Sequence, residues 1–336
     1  TCGYVTVAAA LRMRDAAATV TYPQVARGAA LQFPRDHGSH PQFRTEWWYI
    51  TGYASSSSTG AAGAGARLFG FQITFFRSLV DGTQDMKSSS AAKQLLFAHA
   101  AITDVQGKKL WHDQRIGRSS GEQDIKGASA SEKDTAVHLR DWSLVRKSNG
   151  EYTAVVTGAD FQLNLQFRET QPLMLQGDKG LSRKGPQPQQ ASFYYSKPQL
   201  AVAGSLTVKG QTKAVEASRG VAWLDHEWSS TLLDPKAVGW DWVGLNLDDG
   251  GALTAFRVRD AGGNALWSGG SLRTPDGATA HLGPNDVTFT TERIWRSPRT
   301  GGRYPVQREL IVRTPAGERR WRLTPLFDDQ ELDSRR

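Results

Sequence analysis

The chain has 336 residues, with 41 Lys+Arg against 33 Asp+Glu and a net charge of +8. Its length suits two ordinary domains, its mean hydropathy of −0.47 is that of a globular chain, and no apolar run approaches the roughly 20 residues of a spanning helix. The basic excess is spread out, as in "RRWRLTPLF". With no nucleic-acid module signature beside it, it reads as solvated strand faces and predicts no nucleic-acid partner.

In chain order, the first segment, "TCGYVTVAAALRMRDAAATV", is rich in small residues. Residues 1–30 read as a leader remnant or a flexible extension. The one cysteine, Cys2, excludes an internal disulfide, and a lipid anchor there is an alternative use for it. Period-two alternation then dominates. "RLFGFQITFFR" puts Phe69, Phe71, Ile73 and Phe75 on one side; "DFQLNLQFR" does the same with Phe161, Leu163, Leu165 and Phe167. Turn signals ("SNGE", "DDGG", "AGGN", "PDG", "PAGE") punctuate these runs. Loops are expected at 54–66, 81–93 and 176–190, the last a long polar excursion of the kind that forms lids or binding loops. An internal echo links "EWWYITGYA…LFGFQITFFR" to "WDWVGLNLD…GALTAFRVRD". The prediction is an all-β chain of two tandem antiparallel β-barrels, over 31–215 and 216–336.

Eleven tryptophans cluster beside acids. Trp47, Trp48 and Tyr49 follow Glu46; Trp223 and Trp228 bracket Asp225, His226 and Glu227; Trp240 and Trp242 flank Asp241. A carboxylate among aromatic side chains is costly unless it is paired or used. Asp241 alternates with Val243, Leu245 and Leu247, which leaves two readings. Burial raises its pKa and makes it a general acid, or it pairs with an arginine such as Arg257. Strand parity puts Asp225 and Glu227 on one face with Trp223, and His226 on the other with Leu224 and Trp228. An unbroken strand cannot aim all three into one cavity. Glu46, in phase with Trp48 and Ile50, is either catalytic or half of a buried ion pair. His226 is a proton shuttle or a core histidine. His37 and His40, beside Asp36, could ligate zinc with Glu46 or His99; a metal-dependent hydrolase is the least favoured reading, and no metal is expected. With no serine-nucleophile elbow and no phosphate-binding glycine loop, no cofactor is expected either.

The blocks "DHGSHPQFRTEWWYITGY", "FGFQITFFR", "FAHAAITD", "YYS", "AWLDHEWSS" and "GWDWVGLNLDDG", in this order, resemble the AttH-type predicted secreted hydrolases. That family is related to the carotenoid 1,2-hydratases (hydroxyneurosporene synthases). The resemblance runs from about Phe33 into the C-terminal region. It implies two tandem lipocalin-like (calycin-like) barrels and a secreted or periplasmic address. It also implies acid-assisted hydration, or hydrolysis, of an isoprenoid or lipid-like substrate. By position, His226 and Trp228 match the family's His-x-Trp, and Asp241 is the nearby acid. The chain departs from the pattern at Asp241, which has tryptophan neighbours and no tyrosine partner at short spacing. The expectation is an enzyme with catalytic Asp241, His226, Asp225, Glu227 and Glu46. Its hydrophobic small-molecule ligand would be bound by Trp47, Trp48, Tyr49, Trp223, Trp228, Trp240, Trp242 and His99. The alternative is a non-catalytic carrier of the same ligand class in the cell envelope, serving a membrane transporter. The sequence leaves oligomeric state open.

Overall fold

The computed structural model describes residues 22–56, 66–84, 92–119, 127–231 and 233–332, apart from the side chains of 216–218. Cys2, most of the 1–30 extension and much of the loops expected at 54–66 and 81–93 lie outside the described residues.

The first sheet comprises β1 (Thr45–Ser56), β2 (Leu68–Leu79), β3 (Gln94–Asp104), β4 (Lys109–Ser119), β5 (Ala128–Ala130), β6 (Ala136–Leu139), β7 (Trp142–Arg146), β8 (Tyr152–Thr157), β9 (Phe161–Arg168), β10 (Met174–Leu175), β11 (Leu181–Arg183), β12 (Ala191–Val208) and β13 (Gln211–Ser229). Their order is β4-β3-β2-β1-β13-β12-β9-β8-β7-β6-β5, with β10 and β11 pairing the N-terminal half of β12 on the edge that β9 takes further along. The two ends of this path meet where β4 reaches β5. A Cβ added at Gly117 would come within 2.7 Å of Leu139 Cδ1 and 3.1 Å of Ala128 Cβ, so glycine permits the closure. Inside, β9 shows why the chain folds this way. Its residues alternate buried and exposed without a break, and Phe161, Leu163, Leu165 and Phe167 join the core. Each such side chain stabilises the fold by roughly 1.5–3 kcal/mol.

The second barrel is smaller. β14 (Gly239–Asn246), β15 (Ala252–Arg259), β16 (Ala265–Arg273) and β17 (Thr279–Leu282) form one sheet; β18 (Val287–Arg296), β19 (Arg303–Thr314) and β20 (Gly317–Leu323) form another. Both contribute to one core that includes Val243, Leu253, Leu272, Phe289 and Leu310. The fold class is therefore all-β: one closed barrel followed by a smaller half, the second barrel of the sequence reading, built of two separate sheets packed on one core. The echo seen in the sequence corresponds to the hairpins β1–β2 and β14–β15.

Two expectations change. The division at 215/216 falls inside β13, a single strand that pairs with β1 and β12 of the first sheet up to Ser229. The change of sheet comes between Ser229 and Gly239. The 176–190 excursion is not a free loop. It contains β11, and Gln176, Ser182, Lys184 and Gln190 are all buried, because it fills the seam between the barrels.

The segment before β1 is also tied down. Val25 joins the first core, and a 3-10 turn at Arg35–His37 packs between β12 and the β5–β6 turn. Ser39 N–H donates to Ser131 O at 2.7 Å, and Thr135 Oγ1 donates to His37 O at 2.7 Å. The approach is close enough that a Cβ on Gly38 would lie 2.3 Å from Glu132 O.

Candidate active site

β13 has two buried faces, and each carries its own cluster. The inward face presents Leu224, His226 and Trp228 to the first core. The outward face presents Trp223, Asp225 and Glu227 to the seam. This is the parity that alternation requires.

Glu46 organises the inward cluster. Its Oε2 accepts from Ser39 Oγ at 2.8 Å, His40 N–H at 2.9 Å and Arg77 Nε at 2.9 Å. Its Oε1 meets His40 Nδ1 and His226 Nε2, each at 2.8 Å. Burial alone would raise the Glu46 pKa, but Arg77 and the two imidazoles hold it well below the usual range. His40 also reaches Asp36 through Nε2 at 3.1 Å. With a carboxylate on each ring nitrogen, His40 donates twice and is an imidazolium. Burial opposes this charge, and the hydrogen bonds to Asp36 and Glu46 overcome it, raising the pKa. His226 is different: burial pushes its pKa down. The neutral ring donates from Nε2 to Glu46 and accepts at Nδ1 from the Tyr195 hydroxyl at 3.1 Å. Tyr195 in turn lies 3.0 Å from His37 Nδ1, and burial drives His37 down to about 3. Trp228 stacks on His40 at 3.7 Å and Trp48 on His226 at 4.8 Å.

His40, Glu46 and His226 offer three ligand atoms within 4.8 Å of one another. Both imidazole protons already point at one Glu46 oxygen, and Arg77 adds a positive charge at 2.9 Å. The electrostatics suit a proton-filled ion cluster better than a cation site. His99 cannot join it. It lies on the outward face of β3, hydrogen bonded to Gln72 Nε2 at 3.0 Å, and burial lowers it to about 4.

In the outward cluster the two carboxylates have different partners, and those of Asp225 are neutral donors. Asp225 Oδ1 accepts from Ser196 Oγ at 2.5 Å and from Trp223 Nε1 at 2.7 Å. Burial raises its pKa to about 7; hydrogen bonds from Ser196, Trp223 and Tyr194 pull it back in part, and the Glu227 charge adds to the rise. No basic side chain is among these partners. Glu227, two residues on and on the same face, is instead ion-paired with Lys184 Nζ at 2.9 Å and hydrogen bonded to Ser192. The Lys184 ammonium also lies 4.7 Å from the Tyr194 ring and 4.3 Å from that of Phe256. Trp242 donates to Tyr194 OH at 3.2 Å and packs edge-on against Tyr49 at 5.5 Å. Gln176 bridges the barrels, donating to Ser196 Oγ at 2.8 Å and Thr254 Oγ1 at 2.9 Å. Two carboxylates with such unlike surroundings are the usual arrangement for an acid and a base at one site.

Asp241 belongs to neither cluster, and the general-acid reading of it is corrected. It points into the second barrel, fully buried. Its Oδ2 accepts from Arg257 at 2.7 Å and its Oδ1 meets Arg308 Nη2 at 2.8 Å. Burial would raise its pKa, but the arginines dominate and lower it. Trp240 shares the outer face of β14 with Trp242 and is half-buried. Of the residues singled out in the sequence, Asp225, Glu227, Tyr49, Trp223 and Trp242 meet in the seam, with Trp47 beside them on the same face. Glu46, His226, Trp48 and Trp228 meet inside the first barrel. Sequence reasoning missed Arg77, Tyr195, Tyr194, Ser196 and Lys184. Arg77 had a signal, since it continues the apolar face of Phe71, Ile73 and Phe75 in phase.

A family model described as AttH-like matches residues 24–336. An AttH-type protein of Nitrosomonas europaea has a solved structure with 44% identity and a TM-score of 0.82, covering 93% of this chain and 90% of that one. Kievitone hydratase from Nectria haematococca shares the fold at 14% identity and a TM-score of 0.69, covering 94% of this chain and 86% of that one. No curated protein matches. The match over nearly the whole described chain, with the closely similar Nitrosomonas structure, identifies the protein as a member of the AttH-like family.

Proposed function

We propose that the protein is an enzyme of hydratase type, adding water across a carbon–carbon double bond of a hydrophobic substrate in the seam between the barrels. The observation that carries this reading is Asp225, a buried carboxyl raised to about 7 and held by an indole, a hydroxyl and a phenol. A carboxyl raised toward neutrality keeps a protonated population near pH 7, the state a general acid needs. Its proton goes to one alkene carbon and the π electrons form the new C–H bond. The cation left on the neighbouring carbon faces the electron-rich rings of Trp223, Trp242 and Tyr49. Water attacks that carbon, and Glu227, oriented by Lys184, accepts the proton water loses. The fold shared with kievitone hydratase agrees with this class of chemistry. A secreted or periplasmic address and an anchor at Cys2 belong to the same proposal.

The test is isotopic. The protein is incubated in oxygen-18 water with lipids of its own cell envelope, beside Asp225→Asn. Label in an intact, heavier product, lost in the variant, supports hydration. Label in one of two fragments would replace it with hydrolysis. Co-purification of the same lipid with both proteins and no label would favour the carrier.

A further inference from the structure

A line of side chains leaves the seam along the outer face of the first sheet. Cross-strand register sets Glu227 of β13 opposite Trp47 of β1, Trp47 opposite Phe76 of β2, Phe76 opposite Phe97 of β3, and Phe97 opposite Ile116 of β4. Phe76 and Phe97 stack at 4.4 Å and 10°, and Trp47 is 6.5 Å from Phe76. Trp47, Phe76 and Phe97 are half-buried, and Ile116 is 61% exposed. The rows on either side are more polar. One reads Asp225, Tyr49, Thr74, His99, Gln114; the other reads Ser229, Thr45, Ser78, Leu95, Arg118. The apolar stripe is one side chain wide. Three strand spacings, from Trp47 to Ile116, make it about 14 Å long.

We infer that this stripe is the track for a single extended hydrocarbon chain, with the reacting end at Asp225 and Glu227. The inference rests on the proposed function for where the head lies, and deepens it by setting the form of the substrate: a linear apolar chain rather than a compact polycycle. Width decides against a second protein copy, since a stable interface covers about 800 Å² per partner and wants a broad patch. Continuity with Glu227 decides for a ligand of the same site.

Straight-chain alcohols from hexanol to hexadecanol probe the track by calorimetry. Affinity should rise about two- to fourfold per added methylene and then level off once the chain outruns the stripe. In Phe97→Ser the levelling should come at a shorter chain, with hexanol bound as in the parent. Ile116→Asp should affect only the longest members. Chain-length dependence that ignores both substitutions, no binding of any alcohol, or a dimer that Ile116→Asp dissolves would each overturn the track. Failure of the proposed chemistry looks different: Asp225→Asn would keep turnover while the length series stayed intact.

Discussion

Glu46 and Asp225 are both buried carboxylates near β13, on opposite faces of one sheet, and their surroundings give them opposite characters. Glu46 meets an arginine, two imidazoles, a hydroxyl and a backbone N–H, and is held ionised. Asp225 meets a hydroxyl, an indole and a phenol, and is pushed up to about 7. Burial is the same force in both. What differs is whether the donors around the carboxylate carry charge. A carboxylate fixed by cations is a structural anchor, here holding the segment before β1 to the barrel through Ser39 and His40. One held by neutral donors keeps a proton within reach near pH 7.

The largest way to break this contrast is Glu46→Ala. It strands the Arg77 guanidinium and the His40 imidazolium in the core. We expect a loss of about 3–5 kcal/mol in urea unfolding, with activity per folded molecule retained. A stable variant would sink the anchor role. Asp225→Asn should do the reverse. Its folded pKa lies above the unfolded value, so its contribution is fully present below about pH 4 and lost as pH rises to about 7, roughly 4 kcal/mol in all. The variant should therefore be more stable than the parent at pH 8, while turnover falls roughly 10²–10⁴-fold. Equal pH–stability curves for the two proteins would show that Asp225 is not raised.

Asp241→Asn ranks next. It leaves Arg308 buried and Arg257 half-buried against a neutral group and should cost about 3 kcal/mol, with the chemistry in the seam untouched; a selective loss of turnover would restore Asp241 as the acid. Its pairing was partly legible. The "DDGG" turn fixes the β14–β15 register, which sets Asp241 opposite Arg257. Arg308, brought from β19 by the packing of one sheet on another, had no local signal. The alternation that defines β9 and the two faces of β13 was readable because side-chain period follows directly from backbone geometry. Which face of the first sheet met the second barrel was not, because that depends on contacts between residues far apart in sequence. The buried role of Lys184 was hidden for the same reason: a lysine in a Gly- and Pro-rich run looks like surface until Glu227 and two aromatic rings enclose it.

The smallest effect separates two tryptophans that the sequence treats alike. Trp48 and Trp228 are each 1% exposed and each stack on a histidine. Trp48 Nε1 is buried with no acceptor among the described residues, and its histidine is neutral. Trp48→Phe gives up contact area but also removes an unsatisfied donor that costs about 1–3 kcal/mol, so the two effects nearly cancel. We expect a change within about 1 kcal/mol. Trp228 lies flat against His40, whose charge the ring face attracts. Trp228→Phe weakens that attraction and should cost about 2 kcal/mol. Because the His40 pKa is raised, its stabilising contribution is present below about pH 6.5 and lost as pH rises through the folded value. The gap between the two variants should shrink over that rise. A gap that does not change with pH would mean that stacking area, rather than the charge on His40, holds Trp228 in place.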